Sequence, residues 1–252
     1  MSTTLKELVN STDVLLQPQN FQDYCPNGLQ VEGKSQVGKL VTGVTACQAL
    51  LDQAVANNAD AVLVHHGYFW RGEDAVIVGM KRRRIATLLQ HDISLLAYHL
   101  PLDAHPELGN NAQLADVLGI QISSDLKARD APIGSIGELG EALSGVAFAR
   151  HIVAKLGREP LHVAGDTKKI KSIAWCTGAA QEYIQQAIDL GADAYLTGEV
   201  AEQTVHIARE AGIHFYAAGH HATERYGVQA VGKYLTQKFG LEHQFIDIDN
   251  PV

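Results

Sequence analysis

The sequence predicts an α/β protein made of two similar three-layer α/β/α lobes. Three observations carry that expectation. Short β-branched runs alternate with helical patterns along the chain, the rhythm of βαβ units and a largely parallel sheet. One stretch of the second half, QEYIQQAIDLGADAYL at 181–196, repeats the pattern of QALLDQAVANNADAVL at 48–63. And 252 residues that are 46% hydrophobic and 19% charged suffice for one large core or two smaller ones.

In chain order, MSTTLKELVNSTDVLLQ reads as an amphipathic helix without the apolar centre of a signal peptide. Asn27-Gly28 marks a turn before a strand. Leu40 to Val44 is strand-like, Cys47 to Asn57 helical, and Ala61 to Val64 a strand that runs into His65 and His66. A helix over Lys81–His91, a strand over Ile93–Tyr98 and a helix over Asn111–Leu118 follow. The stretch from Ser123 to Gly145, with Pro132 and glycines at 134, 137, 140 and 145, breaks the rhythm and reads as a crossover between lobes. A helix is expected over Glu141–Leu156. Then come a strand (Ile170–Trp175), a helix (Gln181–Leu190), a strand (Ala194–Thr197), a helix (Ala201–Ala211), a strand (Ile213–Ala217) and a helix from Thr223.

In the internal match, Gln48, Gln53, Ala54, Ala59, Asp60, Ala61 and Leu63 each meet an identical residue. Convergence on a helix–turn–strand pattern is the bland explanation; the shared ADA entering a strand favours duplication. His65 and His66 then correspond to Gly198 and Glu199. Both copies would place polar residues at the carboxyl end of a strand, the edge at which open α/β sheets bind ligands. The expected lobes are 1–122, to which a final strand near 243–248 can return, and 123–252, with a metal site between them.

Composition narrows the function. A net charge of -8 disfavours a general nucleic-acid surface, and the basic run Lys81–Arg84 reads as a solvated helix face. No apolar run reaches the length of a membrane span. Cys25, Cys47 and Cys176 are odd in number and widely spaced, without a CxxC pair. A cytoplasmic location with reduced thiols is expected.

Histidine, at 12 residues, is the unusual component. Metal-ligand types gather in four places: His65-His66; His99, Asp103 and His105 in YHLPLDAH; Glu199 and His206 in GEVAEQTVH; His220, His221 and Glu224 in GHHATER. Each follows a predicted strand or opens a helix beyond one. His220 and Glu224, four apart, share a helix face, as His221 and Glu224 can. Adjacent His65 and His66 point to opposite sides of a regular strand, which suits two neighbouring ions better than one. A single such histidine is most often a packing residue, and Glu224 can be an early-turn carboxylate favoured by the helix dipole. Jointly, His65, His66, Asp103, His220 and Glu224 favour a metal site for borderline divalent ions: zinc, iron, manganese or nickel. Glu199 fits a role behind a ligand histidine, His206 a surface position, and Cys176 a buried thiol. There is no GxGxxG after a strand and no GxxxxGK[ST] loop.

YCPNGLQVEG, VTGVTACQALLDQAV, ADAVLVHHGYFW, YHLPLDAHPELGNNAQLA, WCTG, TGEVAEQT and FYAAGHHATERYG together resemble the YbgI-like, or Nif-three-like, family over about residues 24–230. The resemblance implies a dinuclear metal centre with His65, His66, Asp103, His220 and Glu224 as ligands and Glu224 as the bridge. It also implies two α/β lobes and a toroidal homohexamer with its metal sites facing inward. Family members often carry the name GTP cyclohydrolase I type 2 homologue. Many have TGD where this chain has Thr197-Gly198-Glu199. The expected function is therefore a hydrolase that uses two divalent ions to attack a small molecule: GTP, another nucleotide or a phosphoester. His99, His105 and His221 are the candidate proton shuttles. The competing expectation is a non-catalytic metal-binding regulatory or scaffold protein.

Overall fold

A computed structural model describes residues 2–128 and 131–252, with side chains omitted between 127 and 133. The chain forms two compact units. One holds the residues up to Leu102 and Gly227–Asp249; the other holds Asp103–Tyr226 and Asn250–Val252. The segment 103–122, expected in the first lobe, thus belongs to the second unit, where its helix packs on the strand that follows it.

The first unit contains, in order, β1 (Thr3–Thr4), α1 (Leu5–Leu16), β2 (Gly28–Val31), β3 (Gln36–Val37), β4 (Lys39–Thr45), α2 (Gln48–Ala56), β5 (Ala61–His66), α3 (Gly79–Gln90) and β6 (Ser94–Ala97). Helix α4 (Leu100–Ala104) ends in the second unit. That unit continues with α5 (Asn110–Leu118), β7 (Ile120–Ala128), β8 (Ala131–Leu143), α6 (Gly145–Leu156), β9 (Leu161–Val163), β10 (Ile170–Trp175), α7 (Ile184–Asp189), β11 (Ala194–Thr197), α8 (Glu202–Ala211), β12 (His214–Ala217) and α9 (His220–Thr223). Helix α10 (Arg225–Phe239) leads back to the first unit and its last strand, β13 (Glu242–Phe245).

In the first unit five strands lie in the order β13-β4-β5-β6-β2. All pairs are parallel except β2–β6. Val41, Val62, Val64 and Leu95 pack against Leu50, Leu51 and Ala54 of α2 and Ile85 and Leu88 of α3. Their alternating neighbours Leu40, Leu63 and Leu96 are equally buried. A strand covered on both faces reads as an unbroken apolar run, which is why VLV precedes the histidine pair without polar interruption.

The second unit has a six-stranded sheet, β7-β8-β10-β11-β12-β9. Ile173, Trp175, Leu196 and Tyr216 face α5 and α6. Ala174, Tyr195 and Phe215 face α7 and α8. This period-two alternation makes the unit three layers. Only β10-β11-β12 is parallel; β9, β8 and β7 add antiparallel edges, so the sheet is more mixed than expected.

The expected crossover over 123–145 is instead the hairpin β7–β8, apart from residues 129 and 130, which lie outside the description. Its glycines are not loop breakers: a Cβ on Gly134 would stand 2.5 Å from the Trp175 carbonyl oxygen of the adjacent strand. The helix expected from Glu141 begins at Gly145, capped by Ser144 Oγ accepting from Ala147 N.

Asp60 precedes β5 and accepts hydrogen bonds from the backbone N–H groups of Gly38 and Lys39, at 2.9 and 3.0 Å. Asp193 precedes β11 and accepts from Lys171 and Ser172 N–H, both at 2.9 Å. These two residues are matched in the sequence repeat. Asp60→Ala strands two backbone donors, a loss of about 1–3 kcal/mol, and thermal denaturation should show a lowered midpoint. Burial opposes the Asp60 charge, yet these amides and Lys34 hold its pKa below the usual value. Its contribution is thus present above pH ~4 and is lost as pH falls through the depressed folded value.

Candidate metal centre

In the first unit β5 carries His65, fully buried, and His66, partly buried, at its carboxyl end. The neighbouring strand β6 delivers His99 two residues beyond its end. The ring centroids lie 4.4 Å apart for His65–His66, 5.1 Å for His65–His99 and 5.7 Å for His66–His99. One ring nitrogen of each lies within 4.8 Å of one from each of the others. Each ring is also held at Nδ1. His65 Nδ1 contacts the Tyr98 carbonyl oxygen at 3.0 Å, His66 Nδ1 the Thr45 hydroxyl at 3.2 Å, and His99 Nδ1 the Asp23 carboxylate at 2.7 Å. Partners of that kind orient ligand imidazoles in metal sites.

In the second unit the turn through Gly219, at φ +100°, opens α9 and places His220 against two carboxylates. Its Nδ1–H donates to Glu199 Oε1 at 2.7 Å, and its Nε2 lies 3.2 Å from Glu224 Oε2. His220 and Glu224 do not share one continuous helix: α9 stops at Thr223, and Glu224 is its C-cap, with φ -110° and ψ 8°. Glu224 is 3% exposed. Gly178, at φ +69°, lies so close that any Cβ there would collide with Glu224 Oε1. Asp103, also buried, accepts from Asn110 Nδ2 at 2.9 Å and Thr177 Oγ1 at 3.3 Å.

Burial opposes a charge on His220, but Glu224 and Glu199 outweigh it and raise its pKa to about 9. The unfolded reference is near 6.5, so in metal-free protein this group's stabilisation is complete below that value and lost as pH rises through about 9. Thermal melts of metal-free protein should fall more steeply between about pH 7 and about pH 9.5 than those of His220→Gln.

The remaining candidates are spread out. His105 Nδ1 accepts from the backbone N–H groups of Glu107 and Leu108 at 3.2 and 3.0 Å, and burial lowers its pKa. His221 is buried in α9. His206 is exposed, 3.8 Å from Glu202 on the same helix. Burial, with Asp103 and Glu224 nearby, holds the Cys176 thiol protonated. Asp23 was invisible to sequence reasoning. It lies in a stretch that reads only as the approach to a turn, and its partner His99 is 76 residues away.

Comparison with known proteins decides the family. A family model described as Duf34/NIF3 (NGG1p interacting factor 3) matches residues 3–251. The chain belongs to this family. It is 60% identical over 252 residues to a Pseudomonas aeruginosa protein called "GTP cyclohydrolase 1 type 2 homolog", covering 100% of both chains. The solved structure of a protein called ybgI, described as of unknown function, is 54% identical, with a TM-score of 0.96 over 99% of this chain and 100% of that one. That of TTHA1606 from Thermus thermophilus is 34% identical, with a TM-score of 0.91 over 99% and 100%. The fold is thus the NIF3 fold, and the His, Asp and Glu groups are of a kind that can bind metal. Among the described residues, no helix is long and apolar enough to cross a membrane.

Proposed function

We propose that this NIF3-family chain is a dinuclear metal-dependent hydrolase, with His65, His66, Asp103, His220 and Glu224 joining in one centre. The observation that carries this reading is the donor set. One unit offers two adjacent imidazoles fixed at Nδ1, and the other an imidazole set against a buried carboxylate. Imidazole with carboxylate suits zinc, iron, manganese or nickel. Two such ions would lower the pKa of bound water and polarise an electrophile.

The chain's own residues supply the rest. Glu224 neutralises charge at the centre, and Glu199 fixes the His220 ring. A cavity of about 320 Å³ beside Asp103, lined in part by His105, Asn111, Asp125 and Ser135, gives room for a small molecule. Its described lining has no Lys or Arg, so it suits a neutral or amino-bearing part of the substrate better than a phosphate. The names of the relatives support a nucleotide such as GTP; a phosphoester is the other class.

The test is to load the metal-stripped protein with zinc or manganese and screen nucleotides and phosphoesters. The reading expects about two ions per chain and turnover that Glu224→Ala abolishes. Full loading without turnover on any substrate would favour a metal-holding regulatory or scaffold protein. The same reading places the sites inside a toroidal homohexamer. Light scattering should then give six copies of the 27.2 kDa chain; a monomer would refute the ring.

A further inference from the structure

Within the first unit, His99 and Asp23 are unexplained by the five-ligand reading. Asp23 is 3% exposed at its side chain. Its Oδ1 accepts from Tyr24 N–H at 2.6 Å and from His99 Nδ1 at 2.7 Å. Its Oδ2 accepts from Asn27 Nδ2 at 2.8 Å and Leu100 N–H at 2.9 Å. Asn27 Oδ1 in turn accepts from His99 N–H at 2.7 Å. Side chain and backbone of His99 are thus both pinned from the same turn, and Trp70 stands edge-on to the ring at 5.0 Å.

A separate metal site at Asp23, Cys25 and His99, whose ligand atoms also cluster within 4.8 Å, fails on chemistry. Burial and then the Asp23 charge push the Cys25 thiol up to about 12, and both Asp23 oxygens already accept hydrogen bonds. Asp23 therefore acts through His99. A carboxylate accepts but does not donate, so the bonded Nδ1 carries the ring proton and Nε2 carries the lone pair. His65 follows the same logic, because the partner of its Nδ1 is a carbonyl oxygen. Two neighbouring rings are thereby fixed in the tautomer that offers the Nε2 lone pair to a metal.

We propose that Asp23 is a positioning residue that fixes the His99 tautomer, so that His99 Nε2 joins His65 and His66 as a third nitrogen donor of the metal centre. This rests on the metal-centre reading above. Removing the partner behind a ligand histidine typically costs about 10–100-fold in metal affinity. Asp23→Asn has a specific consequence. Its amide can donate to His99 Nδ1, which drives the ring proton to Nε2 and turns the lone pair away. Asparagine behind a catalytic histidine selects the wrong tautomer in the same manner.

The experiment uses the full chain, stripped of metal and titrated with Zn2+ against a chromophoric chelator. Ring nitrogen shifts of the metal-free protein are recorded by NMR. Wild type should show His99 protonated at Nδ1, and Asp23→Asn should show it protonated at Nε2. Zn2+ binding should weaken about 10–100-fold in Asp23→Asn and in His99→Gln, and the double variant should be no weaker than His99→Gln alone. His99→Gln leaves the Tyr24, Asn27 and Leu100 bonds to Asp23 in place, so it remains informative if Asp23→Asn folds poorly. Wild-type affinity in both single variants would overturn the proposal, as would losses that add in the double variant. Wild type that takes up no Zn2+ would instead remove the metal-centre reading beneath it.

Discussion

Glu224→Ala is expected to yield a folded protein that holds little or no metal. Glu224 is buried, stands 3.2 Å from His220 Nε2, and closes against Gly178. On the proposed reading it is the bridging carboxylate. On that reading, losing it would leave Asp103 as the one carboxylate to offset the charge of two cations on the imidazole donors. The fold should suffer far less. A carboxylate buried without metal carries a desolvation cost that the alanine removes. Against this stand the lost contact with His220 and a small void, together about 1–3 kcal/mol. Elemental analysis beside a thermal melt separates the two effects. Full metal occupancy in a well-folded variant would refute Glu224 as a ligand.

Gly198→Ala should damage the same centre through the backbone. Gly198 N–H donates to the Gly178 carbonyl oxygen at 2.9 Å, and the Gly198 carbonyl accepts from Gly219 N–H at 2.9 Å. Three segments therefore meet at this residue: the end of β11, the turn after β10, and the approach to α9. A Cβ there would lie 2.6 Å from the Gly178 oxygen, 2.6 Å from His220 Cα and 2.8 Å from His220 N. None of these atoms can swing aside as a side chain can, so the segments must part and carry His220 with them. Overpacking of this kind costs about 1–3 kcal/mol. Metal binding should fall by at least about tenfold as well, since on the proposed reading His220 is a ligand and loses its place. Gly140→Ala is the control, because a methyl group there would meet nothing within 4 Å; its melt and metal content should match wild type. A Gly198→Ala protein with unchanged metal affinity would show that His220 placement is not critical.

The sequence by itself determined the parallel α/β core and singled out most of the residues that the proposed reading uses as metal donors. β5 and β11 announce themselves because strands covered on both faces carry unbroken apolar runs, AVLV and AYL. The histidines stand out because two adjacent imidazoles end a run that is otherwise apolar. The hairpin β7–β8 was illegible. Gly134 and Gly137 imitate a loop, whereas tight approach to neighbouring strands is what excludes a side chain there. The unit boundary at Leu102 was likewise hidden, because 103–122 is assigned by what it packs on, and packing partners leave no local mark. Only the tertiary structure brought Asp23 to His99 across 76 residues and identified His220 as the ring that Glu199 holds. The physical reason is common to all four. Periodicity reports the face a residue presents within its own element, but the partner on that face is chosen by chain segments far away, where sequence spacing carries no information.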